Sequence, residues 1–96
     1  MYQDKFFEWD EEKDMENISK HNISFSEARE VFADPKRLIL KDTKHSVHEE
    51  RIYCIGLVKE TIIMVRFVKR KKRIRIFGAG AWRQAKILYE QKNKIS

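Results

Sequence analysis

Apolar positions along the 96-residue chain switch from helical spacing to a period of two near Pro35. Before that point they follow a short extended entry and then helical spacing. Phe6, Phe7 and Trp9 read as a brief strand, and Asp10 is placed to cap a helix that runs to about Lys20. Glu11 and Glu12 fall in its first turn, where the helix dipole favours anions. His21-Asn22 ends it, because Asn tolerates the left-handed conformation that a helix C-terminus needs. Ser24-Phe25-Ser26-Glu27 has the form of a capping box, and Phe25, Ala28, Val31 and Phe32 continue at helical spacing until Pro35 closes the second helix.

After Pro35 the period is two. Leu38 and Leu40 alternate with Ile39 and Lys41. Tyr53, Ile55 and Leu57 alternate with Ile52, Cys54 and Val58, and Ile63, Val65 and Phe67 with Met64, Arg66 and Val68. Lys59-Glu60 makes a tight link, so 51–58 and 61–68 are predicted to form a hairpin. A second turn falls near Lys71-Lys72. Beyond it Arg73, Arg75 and Phe77 share one face while Ile74 and Ile76 enter the core. Gly78 and Gly80 are expected to break this strand. A last helix then runs from Ala81 to about Gln91, with Trp82, Ala85, Leu88 and Tyr89 inward. The pattern predicts an α+β fold in a single domain spanning 1–96: a short N-terminal strand, two helices, a four-strand antiparallel sheet in meander order and a C-terminal helix.

Composition narrows the functional classes. A chain this short sustains one core, which excludes a multi-domain enzyme. Hydrophobic residues make up 42% and charged residues 38%, the latter well above the ~25% of an average domain. Cys54 is the only cysteine and has no disulfide partner within the chain. No apolar run approaches the ~20 residues of a spanning helix, and the opening Met1-Tyr2-Gln3-Asp4-Lys5 lacks the pattern of a secretory leader. A cytoplasmic protein with no membrane partner is expected.

The net charge of +6 hides an asymmetry. Residues 1–56 carry nine Lys/Arg against thirteen Asp/Glu, or −4, and residues 57–96 carry twelve against two, or +10. Arg66, Lys69, Arg70, Lys71, Lys72, Arg73 and Arg75 crowd into one segment, interleaved with Phe67, Val68 and Ile74. Such density favours a polyanion, because each phosphate neutralised releases condensed counterions. The alternative is a solvated turn that only maintains solubility.

Gly78-Ala79-Gly80 lacks the remainder of a nucleotide fingerprint. His21, His45, His48 and Cys54 lack zinc-ligand spacing, so neither metal nor cofactor is expected. Asp42, His45, Ser46, His48, Glu49, Glu50 and Arg51 form a polar cluster between two strands. It is either an exposed loop with local charge pairs or part of a site. RNA cleavage by side chains needs a group to take the 2′-hydroxyl proton, cations to hold the pentacoordinate phosphorane and a donor for the leaving 5′-oxygen. His45 and Glu50 suit the proton transfers; Arg51, Arg66 and Arg75 suit the phosphorane. Acid and base roles stay open. Lys69, Arg70, Lys71, Lys72 and Arg73 are the candidate RNA-binding set. Trp82 and Phe67 have rings that stack on bases, but their spacing favours the core for both.

The order of several short segments carries a resemblance. Phe7-Glu8-Trp9-Asp10-Glu11-Glu12-Lys13 is followed by Asn17-Ile18-Ser19-Lys20-His21, Ser24-Phe25, Glu27-Ala28, Val31-Phe32 and Asp34-Pro35. Asp42 with His45-Ser46, Glu49-Glu50-Arg51, Ile55-Gly56, Arg73-Ile74-Arg75-Ile76 and Tyr89-Glu90 complete the series. The whole resembles the BrnT toxins, the ribonuclease half of BrnT/BrnA type II toxin–antitoxin modules. The resemblance implies a fold like that of the RelE-type ribonucleases and RNA cleavage that arrests translation in a prokaryotic cytoplasm. It also implies neutralisation by a small BrnA-like antitoxin, through which alone the protein meets DNA. Lys13, inside the first matching segment, joins the RNA-binding set. Two departures stand out. Asn22 replaces a usual Gly, and Gly78-Ala79-Gly80 stands where members commonly carry Ser-Ala-Arg, with Arg83 as the candidate substitute for the missing arginine. The alternative function is a nuclease-inactive module of the same fold that binds RNA or antitoxin. A DNA-binding regulator ranks below both, because no helix carries a basic recognition face.

Overall fold

A computed structural model describes residues 1–94. The elements are β1 (Tyr2–Gln3), β2 (Phe7–Trp9), α1 (Glu11–His21), α2 (Phe25–Ala28), a 3-10 segment (Arg29–Ala33), β3 (Leu38–Asp42), β4 (Arg51–Val58), β5 (Thr61–Arg70), β6 (Arg73–Gly80) and α3 (Arg83–Asn93). The predicted caps form, except that Glu27 makes no return bond to Ser24 among the described residues. Asp10 accepts a hydrogen bond from the Glu12 amide at 2.8 Å, and Asn22 takes the left-handed conformation at φ 56°. Ser24 accepts from the Glu27 amide at 3.0 Å, while Asp14 of α1 accepts from the Phe25 amide.

Three expectations are corrected. The sheet has six strands in the order β1-β2-β6-β5-β4-β3 and is mixed. The four-strand antiparallel meander exists as its β3–β6 part, but β2 adds to β6 in parallel, with Phe7 opposite Ile74 and Glu8 opposite Arg75. Asp4 makes this possible by accepting from the amides of Phe6 and Phe7, at 2.9 and 2.7 Å. It folds the N-terminus back so that Tyr2 stacks on Trp9 at 4.2 Å. The second helix is one α turn followed by 3-10 backbone. Phe25, Ala28 and Val31 are spaced by three, the 3-10 repeat, and all three are fully buried along one line. Finally, Gly78 and Gly80 do not break β6, which runs through Gly80. Neither glycine has a positive φ. α3 consequently starts at Arg83, with Trp82 as its cap rather than part of its buried side.

The two faces of the sheet are covered unequally. One packs against α1, α2 and the 3-10 segment through Trp9, Phe25, Val31, Ile52, Val65 and Ile76. Here Val31 comes so close to β4 that a Cβ on Gly56 would lie 2.8 Å from its carbonyl oxygen. The other face packs against α3 only where Ile55, Leu38, Leu40, Ile62 and Met64 meet Ala85, Leu88 and Tyr89. Asp34 fastens that helix, accepting from the Tyr89 hydroxyl at 2.6 Å and the Leu57 amide at 2.8 Å. Burial, reinforced by this bond, pushes the Tyr89 hydroxyl up to about 12. The rest of the second face, around Asp42, Arg51, Tyr53 and Arg66, lies beyond α3. No helix among the described residues is long and apolar enough to cross a membrane.

Candidate active site

The uncovered end of the sheet is built by strand register. Asp42 at the end of β3 stands opposite Arg51, the first residue of β4, and Tyr53 stands opposite Arg66 of β5. Side chains two apart on a strand share a face, so one surface carries all four. Asp42 is buried there and accepts from the Tyr53 hydroxyl at 2.6 Å, while His45 Nδ1 lies 2.9 Å from the same carboxylate oxygen. The Tyr53 bond chiefly holds the Asp42 carboxyl below its ordinary value, against burial and with help from His45. In turn Asp42, with burial, pushes the Tyr53 hydroxyl up, and the positive charges of Arg66 and Arg51 oppose that rise. Ser46 completes the loop: its hydroxyl donates to the Asp42 carbonyl and accepts from the Arg51 amide. The His45 ring is therefore held by one nitrogen on a carboxylate, which leaves Nε2 for another partner.

Arg66 occupies a cradle of a different kind. Its guanidinium carbon lies 5.7 Å from the centre of the Phe77 ring and 5.5 Å from that of Trp82, within cation–π range of both. Phe77 also receives Arg51 at 5.0 Å. The side chain lies flat on Gly78, where a Cβ would stand 2.7 Å from Nη2 and 2.8 Å from Nε. Trp82 in turn lies on Gly80, where a Cβ would stand 2.6 Å from the indole. The glycines expected to end the strand are the floor on which an arginine and a tryptophan rest. Phe77 is the extra residue of a bulge in β6: Gly78 faces Arg66 and Ile76 faces Phe67. Arg66 Nε is buried with no hydrogen-bond partner among the described residues.

The residues singled out from sequence divide into two groups. Arg51, Arg66 and His45 are placed along the open face, and Lys13 of α1 lines the same hollow as Arg66 and Phe77. Others are already engaged. Arg75 donates to Glu8 at 3.0 Å, Glu50 pairs with Lys41 at 2.9 Å and Arg70 with Glu49 at 3.0 Å. Arg73 donates to the Asp4 carbonyl at 2.7 Å. Lys69, Lys71 and Lys72 are exposed at the β5–β6 turn. Arg83 shares a separate hollow with Glu60, Thr61 and Lys86, so the guanidinium lying over Gly78 is that of Arg66 instead.

Phe67 is core, as its spacing indicates. Asp42 stands in the polar cluster that the sequence offers and Trp82 among its stacking rings, but the pairing of Asp42 with His45, the role of Tyr53 in joining Asp42 to the arginines, and Phe77 and Trp82 as ring partners of Arg66 are not legible in the sequence. Only the three-residue step from Asp42 to His45 gave a signal.

This is a small α+β protein whose open sheet end sets a carboxylate–imidazole pair beside two guanidiniums that have no acidic partner among the described residues. Such equipment suits a phosphodiester. A sequence model of the ribonuclease toxin BrnT, of type II toxin–antitoxin systems, matches residues 9–85, and the chain belongs to that family. The match runs from β2 into the first turn of α3 and contains the whole open face. Membership implies an RNA substrate and an antitoxin partner. No curated protein matches the chain.

Proposed function

We propose that residues 1–96 act as one domain, an endoribonuclease that cleaves RNA at the open end of the sheet and thereby arrests translation in the cytoplasm. The observation that carries this reading is the Asp42–His45 pair sharing a sheet face with Arg51 and Arg66. In the proposed reaction His45 Nε2 takes the proton of a 2′-hydroxyl, and that oxygen attacks the adjacent phosphorus. Asp42 fixes the ring and stabilises the imidazolium that results. Arg51 and Arg66 hold the phosphorane oxygens. The P–O5′ bond breaks, the 5′-oxygen takes a proton from water, the His45 imidazolium gives its proton to the hydroxide so formed, and the products are a 2′,3′-cyclic phosphate and a 5′-hydroxyl. A RelE-like relationship and neutralisation by a BrnA-like antitoxin, which would cover this face and carry any operator contact, belong to the same reading.

The test is product analysis on a defined RNA. Cleavage to 2′,3′-cyclic phosphate ends is expected, with His45→Ala slower by about 10²-fold or more, the usual span for losing a proton-transfer group. An unchanged rate in that variant would remove His45 from the mechanism. The engagement of Arg75 by Glu8 and the displacement of Arg83 from the face leave two guanidiniums where the sequence offered four, and this favours the second reading, a nuclease-inactive RNA- or antitoxin-binding module. That reading predicts no cleavage by the wild-type chain but retained binding.

A further inference from the structure

A second cleft adjoins this face on the side of α1. Because β2 pairs with β6 only at Ile74 and Arg75, the later part of β6 meets α1 instead, and Asn17 accepts from the Ala79 amide at 3.2 Å. The hollow left between them is lined by Lys13, Lys20 and His21 of α1 and by Arg66 and Phe77 of the sheet. Lys13 and Lys20 are seven residues apart, two helical turns, and so project in the same direction. His21 meets the edge of Trp82, with ring centres 5.3 Å apart. One carboxylate, Glu16, shares the hollow, and neither it nor the two lysines forms an ion pair among the described residues. The arginines of the β5–β6 hairpin differ in this respect, since Arg70, Arg73 and Arg75 each have an internal acceptor, whereas Lys69, Lys71 and Lys72 of its turn stand in open solvent rather than in a hollow.

Arg66, on the wall of this hollow, has a buried Nε with no acceptor among the described residues. A buried donor without an acceptor is costly to leave unmade. Cation–π contacts engage the plane of a guanidinium, so its N–H groups remain for an acceptor lying in that plane. An oxyanion in the hollow would meet this guanidinium at its outer N–H groups, which have no acceptor among the described residues, and the two lysines together.

We propose that this cleft is a subsite for a second backbone phosphate, that of the nucleotide next to the scissile bond, with Arg66 standing between the two phosphates. The proposal rests on the reading of RNA as substrate. It adds Lys20, His21 and Trp82 to the residues that meet the strand, and it assigns to α1 the selection of a substrate longer than a single linkage.

Isotope-labelled protein titrated with inorganic phosphate and with a nucleoside 3′-monophosphate is the test. Saturable shifts are expected at the Arg66 Nε–H, the Trp82 indole and the His21 ring. The Lys13→Ala/Lys20→Ala double variant is expected to weaken the phosphate affinity at least about tenfold. For single-stranded RNA it should make the salt dependence of log K shallower by about one to two. Both lysines are exposed, so the remaining spectrum should be unaltered. Shifts confined to the Lys69–Lys72 turn, or equal affinity in the double variant, would overturn the proposal. So would binding of an acidic peptide in the cleft with no binding of phosphate, which would reassign it to a protein partner. Cyclic-phosphate formation is measured separately, so loss of the catalytic reading and loss of this subsite are distinguishable.

Discussion

Arg66 lies on Gly78 with no room for a methyl group between them: a Cβ at residue 78 would stand 2.7 Å from Nη2. The contact is with the far end of a flexible side chain, so a substitution there would move the arginine rather than the strand. It couples a backbone position to the placement of the guanidinium proposed to hold the phosphate.

Gly78→Ala is therefore expected to lower RNA cleavage while leaving the fold nearly intact. Displacing one transition-state donor costs about 2–4 kcal/mol, or roughly 30- to 1,000-fold in rate. The comparison is with Arg66→Ala, scored by cleavage rate and thermal midpoint. If the glycine acts through the arginine, the double variant should be no slower than Arg66→Ala alone. Additive losses would show that Gly78 acts by another route.

Gly56 provides the opposite case. A Cβ there meets the Val31 carbonyl oxygen at 2.8 Å and its Cα at 3.0 Å, and backbone cannot rotate away. Gly56→Ala should destabilise the protein by about 1–3 kcal/mol, the usual cost of overpacking. Urea unfolding measures this, and a stability equal to wild type would mean that the 3-10 segment shifts freely.

Acid should weaken the protein through the N-terminal strands. Burial alone would raise the Glu8 carboxyl, but hydrogen bonds from Arg75 and Gln3 outweigh it and leave the group below its ordinary 4.5. A carboxyl lowered on folding contributes stability above its unfolded value and loses it as pH falls through the folded one. Wild-type stability should therefore drop below about pH 4.5, with Asp4, Asp34 and Asp42, each lowered from 3.8, adding to the loss. Glu8→Gln should be less stable than wild type at pH 7, and the gap should close as the pH falls below 4.5. A gap of constant size from neutral to acid would show that the ion pair contributes nothing.

The sequence by itself determined the elements that depend on neighbours. Alternation fixed β4 at Arg51–Val58 and placed the turns at Lys59 and Lys71, both of which take positive φ. The Asp10 and Ser24 caps and the left-handed Asn22 also follow from local chemistry. The order of short segments indicated the family. Tertiary structure alone decided what each arginine does. Arg51, Arg66, Arg73 and Arg75 are alike in sequence, but their partners come from distant elements: Phe77 and Trp82 for Arg66, Asp4 for Arg73 and Glu8 for Arg75. Those pairings follow from the parallel docking of β2 on β6 and from the bulge at Phe77. Gly78 and Gly80 show the same limit, since a glycine is read locally as a breaker and only a side chain laid across it reveals a floor. Charge density is a local property of the chain, whereas a charge left without an acidic partner is a property of the packed molecule.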